Sequence, residues 1–342
     1  MIQICVCEYA LPETIIPVST LLENDRERLE LLSASLRFYP NLRQTFGSGI
    51  QSVRCYESEK EVTSHVNELV TRLLAGSPIS NSVDLVVDFS TVPPGNETWG
   101  THVCESLKSE GCRALSITGG GCANFHMALW AIERMLLSDS SLNQVILISV
   151  DQVPYRARVL FPLTFLGDGT SGWLISRNRP GWQILGTRLA TAGHLRNAVG
   201  LPMRANLPIP VDIPLIETRL LPLHFKVIDR LIRTLLDEHS MAIDEVDWYV
   251  YPCMSTHDRS SFCRAFRIPE NKLVGGRMKD AGHVFASDMA IQFESLNRLG
   301  QAHGTTMMLI SAGAGFHWGC TLLRRTNESS GSGQCGCLET SM

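Results

Sequence analysis

The sequence holds no apolar run near the roughly 20 residues that a membrane-spanning helix needs, so no helical span is expected. It opens on no basic, apolar-cored leader: Met1-Ile2-Gln3-Ile4-Cys5-Val6-Cys7-Glu8 reads as a first strand, and a soluble, cytoplasmic protein is expected. Positive charge is not in surplus. Against 30 Lys and Arg stand 34 Asp and Glu, a net charge of -4 that argues against bulk binding to nucleic acid. The 11 cysteines lack the pattern of a disulfide framework, being odd in number and scattered through a chain of 342 residues, as suits a reducing compartment. No stretch rich in proline or serine divides the chain before Asn327-Glu328-Ser329-Ser330-Gly331-Ser332-Gly333, where a polar tail begins that is expected to be disordered. Cys335 and Cys337 in that tail have no further ligands beside them, and no metal site is expected.

What the chain does contain is 44% hydrophobic residues, enough for a sizeable core, and one informative junction. In Gly119-Gly120-Gly121-Cys122-Ala123-Asn124-Phe125 a glycine run delivers a cysteine to the first turn of a helix whose apolar spacing continues from Phe125 to Leu137. The partial positive charge and free N–H groups of a helix start favour thiolate over thiol, and the thiolate is the nucleophile. Upstream, residues 82–88 and Arg113–Ile117 read as buried strands; downstream, Gln144–Val150 is a β-branched run that reads as a core strand. The segment Gly167-Asp168-Gly169-Thr170-Ser171-Gly172 spells GxGxxG, yet Trp173-Leu174-Ile175-Ser176 continues as a strand where dinucleotide binding needs a helix. Nucleotide binding is therefore not expected. The second half reads as a long helix at Leu215–His239, a strand at Trp248–Tyr251, helices at Ser260–Phe266 and Ala286–Leu299, and closing strands at Thr306–Ser311 and Trp318–Arg324. The two halves repeat one plan.

Taken together, these segments resemble the thiolase superfamily, and within it the ketoacyl-acyl carrier protein synthase III group of condensing enzymes. The resemblance reaches to about Arg325 and rests on three motifs in order: the run ending in Cys122-Ala123-Asn124-Phe125, the Gly167-Asp168-Gly169 turn, and Ser311-Ala312-Gly313-Ala314-Gly315-Phe316-His317-Trp318-Gly319. It implies an α/β fold of five αβαβα layers from two duplicated halves, 1–177 with the nucleophile and 178–326 with the histidine and oxyanion loop, followed by the tail 327–342. It implies that Cys122 takes an acyl group from a thioester of an acyl carrier protein's phosphopantetheine or of coenzyme A, with no further cofactor. The backbone N–H of Ala314, where the family has glycine, would join that of Cys122 in an oxyanion hole. The helix bearing Arg259, Arg264 and Arg267 would help to dock the acidic carrier protein. A dimer, homomeric or with a related ketosynthase chain, would form through a strand beside the nucleophile helix, for which Gln144–Val150 is the candidate.

The chain departs from that group in its second half. The family histidine follows a strand of the type Asp247-Trp248-Tyr249-Val250, and its place falls on Tyr251, Pro252 or Cys253; His257 lies a few residues on. The family asparagine falls on His283, in Ala281-Gly282-His283-Val284-Phe285-Ala286-Ser287. Decarboxylative condensation calls for two neutral donors on one thioester oxygen, of which His283 supplies one and Tyr251 or Cys253 the other. Transfer to an alcohol, an amine or another carbon acid calls instead for a base near pH 7, a role that imidazole suits. The expected function is acyl transfer through Cys122, with Claisen-type carbon–carbon bond formation in polyketide- or fatty-acid-like metabolism ahead of transfer to a heteroatom. A degenerate accessory subunit is the rival, against which the retained Cys122 speaks, and an α/β-hydrolase would need glycine where Asn124 stands. His126, His194, His224 and His317 read as structural, and the proline-rich stretch Leu201–Pro214 as a wall or entrance of the acyl pocket. The basic, tryptophan-bearing segment that holds coenzyme A in the housekeeping enzymes is not recognisable between Asp25 and Gly49, which favours a carrier protein as donor.

Overall fold

A computed structural model describes residues 1–27, 29–30, 46–75, 83–95, 98–109, 111–200 and 208–326. The tail from 327, residues 201–207 of the proline-rich stretch, and 31–45 of the segment searched for a coenzyme A site lie outside the described residues.

Among the described residues nine strands pair into one continuous sheet. They are β1 (Gln3–Ala10), β2 (Leu85–Asp88), β3 (Arg113–Ser116), β4 (Gln144–Asp151), β5 (Gly169–Ser176), β6 (Trp182–Thr191), β7 (Trp248–Val250), β8 (Thr306–Gly313) and β9 (His317–Arg325), in the order β7-β8-β9-β6-β1-β5-β4-β2-β3. The order contains a repeat. In β2-β4-β5-β1 the pairings run parallel, antiparallel, antiparallel, and β7-β8-β9-β6 runs the same way. The two sets meet where Gln3 and Ile4 of β1 pair with Gln183 and Trp182 of β6.

Both faces of the central strands β2, β4, β5 and β8 are buried, which is why the sequence shows near-continuous apolar runs there rather than alternation. In β4, Val145 and Leu147 enter a core shared with Phe125, Trp173, Trp182 and Phe293, while Ile146, Ile148 and Val150 enter a second core beneath Val62, Val66 and Leu69. In β8, Met307 and Leu309 join the first core, and Met308 and Ile310 face a third with Ile228, Leu231 and Leu235. The helices sort accordingly. Helices α1 (Glu59–Leu74) and α2 (Trp99–Leu107) cover one outer face, α3 (Asn124–Ser138) and α6 (Ser287–Asn297) fill the middle, and α4 (Leu221–Glu238) and α5 (Thr256–Phe266) cover the other outer face. The result is the five-layer αβαβα thiolase-like arrangement.

Two strand expectations are corrected. Arg113–Ser116 is not a buried strand: it is the outer edge, exposed along its length with Leu115 at 37%, because β2 alone pairs with it. Gln144–Asp151 lies between β2 and β5 with both edges hydrogen-bonded, so it has no free edge to offer a second chain. A joining strand on this side of the sheet would have to be β3.

The Gly167-Asp168-Gly169 turn has a structural task. Asp168 accepts backbone hydrogen bonds from Tyr56 and Val153 at 2.8 Å each and holds Arg158 at 2.8 and 3.0 Å. The pair is almost fully buried, at 2% and 0% side-chain exposure. Breaking a buried pair leaves an uncompensated charge, so Asp168→Asn should lose about 3–5 kcal/mol of stability in urea unfolding. The double variant Arg158→Met/Asp168→Asn, which removes that charge, should recover part of the loss; an unchanged midpoint in Asp168→Asn would contradict this role.

Candidate active site

Cys122 lies in a one-turn 3-10 helix, Gly121–Ala123, that runs directly into α3. Asn124 fixes the turn: its Oδ1 accepts from the Gly120 N–H at 2.8 Å and its Nδ2 donates to the carbonyls of Phe89 and Ser90. Gly121 has φ +55°, and a Cβ there would stand 2.8 Å from the backbone nitrogen of Ala314. Only glycine allows the nucleophile turn and the Ala314 loop to approach this closely. That loop is the tight connection between β8 and β9, and Ser311 at its base donates to the Cys122 carbonyl at 3.0 Å. Cys122, Gly313 and Ala314 thereby line one cavity.

His283 comes from the other half of the chain. Its backbone N–H donates to the Phe165 carbonyl at 2.9 Å and its carbonyl accepts from Gly167 at 3.0 Å. A Cβ on Gly167 would collide with the Ala281 carbonyl at 2.0 Å, so the second motif has glycine to let the histidine loop lie against it. The histidine loop also holds Phe285 in the left-handed region at φ 54°, a conformation that side chains other than glycine seldom adopt. The imidazole bridges two groups: Nε2 lies 3.3 Å from Cys122 Sγ, and Nδ1 lies 2.5 Å from Asp288 Oδ2. Burial pulls the His283 pKa down, but the sulfur and the carboxylate more than offset it and push it well above the usual histidine value. With Asp288 accepting at Nδ1, the ring is oriented so that Nε2 faces the Cys122 sulfur.

The cavity over this pair measures about 490 Å³. Leu160, Leu166, Ile216, Leu220, Phe225 and Phe316 give it an apolar lining. A polar strip crosses it. Trp318 Nε1 donates to His224 Nδ1 at 3.1 Å, His224 Nε2 lies 3.1 Å from the Tyr251 hydroxyl, and that hydroxyl donates to Asp258 Oδ1 at 3.4 Å. Burial holds the His224 pKa down at about 4, so it is neutral near pH 7.

The sequence candidates thus fall in different places. Cys122, His283, Ala314, Tyr251 and His257 all line the cavity, His257 from the exposed first turn of α5. Cys253 does not line it; its thiol donates to the Tyr251 carbonyl at 3.2 Å. Arg259 is directed inward, not outward: its guanidinium donates to the carbonyls of Glu270, Leu273 and Val274 and so braces a loop. Arg264 and Arg267 remain exposed around a surface groove beside α5. His126 is buried against the Thr321 hydroxyl and His317 bonds Thr191, but His224 belongs to the cavity wall rather than to the fold alone. Sequence reading missed Asp288, Asp258 and Glu217. For Asp288 a signal existed, a carboxylate five residues after His283 at the start of a helix.

The description of 3-oxoacyl-[acyl-carrier-protein (ACP)] synthase III, C terminal, matches residues 236–325. Beta-ketoacyl-[acyl-carrier-protein] synthase III of Methylococcus capsulatus is 23% identical over 286 residues, 77% of this chain and 84% of that protein. The enzyme of the same description from Neisseria gonorrhoeae is 23% identical over 283 residues, 78% of this chain and 85% of that protein. The chain is thus similar to synthase III proteins over most of its length, at low identity, with the family match confined to its C-terminal part. Solved structures agree in fold: 3-oxoacyl-[acyl-carrier-protein] synthase III of Aquifex aeolicus has a TM-score of 0.74 at 19% identity, covering 95% of this chain and 100% of that one. Cerulenin-bound OleA of Xanthomonas campestris has a TM-score of 0.77 at 15% identity, covering 94% and 96%. Among the described residues no group of three or more histidine, cysteine or acidic side chains is placed to hold a metal.

The bridging position of His283 makes its charge depend on Cys122. A raised pKa means that the imidazolium persists above pH of about 6.5, where a free histidine has lost its proton, and gives way only as pH rises through the folded value. Carbamidomethylation of Cys122 removes the sulfur's negative charge, one of the two causes of the rise. Nitrogen-15 chemical shifts should therefore report a His283 that titrates above the ordinary histidine value in the free protein, and a pKa moved downward after iodoacetamide. An unchanged titration would contradict the coupling.

Proposed function

We propose that this protein is an acyltransferase of the EC 2.3.1 type that loads an acyl group from a thioester onto Cys122 and passes it to a second substrate by Claisen-type carbon–carbon bond formation. The observation that carries this reading is His283 held between Cys122 Sγ at 3.3 Å and the Asp288 carboxylate at 2.5 Å. In the first half-reaction Cys122 attacks the thioester carbonyl as thiolate, His283 retains the proton, and the amides of Cys122 and Ala314 receive the oxyanion. The leaving thiol takes the proton from His283. In the second, neutral His283 removes a proton from the acceptor, the new bond forms at the acyl carbon, and the C–S bond breaks to return Cys122.

Proton abstraction suits this site better than decarboxylation. A malonyl route would need a second neutral donor beside His283, whereas the Tyr251 hydroxyl is directed to Asp258 and the Cys253 thiol to a backbone carbonyl. Transfer to an amine or alcohol uses the same base and is the second reading, favoured by two carboxylates, Glu217 and Asp258, in the cavity wall. A retained nucleophile with an oriented base argues against a silent accessory subunit. The halves 1–177 and 178–326 serve as the two domains, the first carrying Cys122 and the second His283 and Ala314.

The donor in this reading is an acyl carrier protein in the cytoplasm, docked near Arg264 and Arg267, with its phosphopantetheine thioester as substrate and no other cofactor. Two copies would join through the β3 edges, extending the sheet across the dimer. Light scattering at micromolar concentration should give a dimer mass, and Leu115→Asp, which places a charge on that exposed edge, should shift it toward monomer. A monomer in the parent protein would refute the pairing.

Intact-protein mass spectrometry tests the chemistry. After incubation with an acyl thioester the protein should gain one acyl group; Cys122→Ala should fold and gain none. His283→Ala should lose turnover by about 100-fold or more, the range over which a positioned acid–base group acts, with acyl-enzyme accumulating if the loss falls on the second step. An acyl adduct of equal yield in Cys122→Ala would sink the assignment of the nucleophile.

A further inference from the structure

The polar strip in the cavity runs in one direction. Indole N–H is a donor only, so His224 Nδ1, which faces Trp318 Nε1, is an acceptor and the proton of neutral His224 resides on Nε2. That proton is directed to the Tyr251 oxygen, and the Tyr251 proton to Asp258. All three donors of this wall are therefore engaged, and what it retains is acceptor capacity. Glu217 adds to it. This residue lines the cavity from a π-helical turn, Ile216–Leu220, that leads into α4, and its Oε2 is buried with no hydrogen-bond partner among the described residues. Single π-turns in helices occur frequently at functional sites. A buried carboxylate oxygen without a donor is costly, and its presence asks for a donor that the described residues do not supply.

The charge of the lining sharpens the requirement. Glu217 and Asp258 both line the cavity, and apart from the histidines, of which His283 is paired with Asp288, no basic side chain lines it among the described residues. A carboxylated extender would meet like charge there, whereas an ammonium group meets two acceptors of opposite charge and makes charge-assisted hydrogen bonds. We propose that Glu217 is a specificity-determining residue that recognises an amino group on the second substrate. This rests on the reading of Cys122 and His283 as the acyl-transfer pair. The amino group is either the nucleophile itself or a neighbour of a nucleophilic carbon. In the first case the ammonium gives one proton to Glu217, its freed nitrogen bonds to the acyl carbon, its second proton passes to His283, the C–Sγ bond breaks to return Cys122 and an amide is released. In the second a carbon–carbon bond forms with the same return of Cys122, and the amine is kept.

Protection of Cys122 from iodoacetamide gives a measurement independent of the natural substrates. Hexylamine should protect at a concentration about tenfold or more below hexan-1-ol, the discrimination expected of one charged hydrogen bond. Glu217→Gln, nearly isosteric, should abolish the difference; Glu217→Asp, which keeps the charge, should retain part of it and stands in if the glutamine variant does not fold. Equal protection by the two probes in the parent protein, or an amine preference that survives in Glu217→Gln, would overturn the proposal alone. Failure of iodoacetamide to modify Cys122 at all would overturn the acyl-transfer reading beneath it. Acyl-loaded protein separates the two sources: release of an N-hexyl amide identifies the amine as nucleophile, and a carbon–carbon product from glycyl N-acetylcysteamine thioester identifies the carbon. Either product, lost in Glu217→Gln, supports the proposal; equal discharge by hexan-1-ol and acetyl N-acetylcysteamine thioester would overturn it.

Discussion

The backbone hydrogen bonds that tie Phe165 and Gly167 to His283, at 2.9 and 3.0 Å, join the two halves of the chain beside the candidate site. Cys122 is fixed from the first half, by Asn124 beneath its turn and by the start of α3; His283 is fixed from the second, by Asp288 at the start of α6. Neither arrangement sets the 3.3 Å between sulfur and imidazole. The strand-like pairing across the halves does so, and it requires that residue 167 have no side chain. Arg158 and Asp168, buried beside this turn, keep it in register with the loops that carry Tyr56 and Val153.

Much of the frame was legible from the pattern of apolar residues. β4 and α3 have long, strongly patterned sequences and form within a few residues of the spans read from them, whereas β5 begins four residues earlier, at Gly169, and α4 six residues later, at Leu221, after a π-turn. β3 was misjudged because Ala114, Leu115 and Ile117 look like core residues; a short apolar segment does not reveal whether it lies inside a sheet or at its edge, since that depends on what pairs with it. The same limit applied to the choice of a joining strand, because a β-branched run marks burial and burial is greatest where both edges are taken.

The site was legible in part. Glycines around Cys122 and a histidine after Gly282 stand out in the sequence because their positions demand unusual backbone. His224, Asp258 and Glu217 did not, for nothing in their local sequence marks them, and only the packing of α4, α5 and the π-turn before α4 around one cavity brings them together; Asp288 reaches the site only through His283. Arg259 shows the converse: it belongs to a cluster that reads as a basic face, yet the fold turns its guanidinium toward three backbone carbonyls.

The separation of these elements has an evolutionary consequence. Cys122, Ala314, Gly167 and His283 are held in the central layer by close backbone approaches and by the side chains of Asn124, Ser311 and Asp288, whereas the strip formed by Glu217, His224, Tyr251 and Asp258 consists of side chains on the outer helical layer and the end of β7. Drift in the second group alters what enters without disturbing how it reacts. A scaffold divided in this way can change its substrates by surface-layer substitutions alone, and a laboratory effort to redirect it would begin on α4 and α5 and leave the central layer untouched.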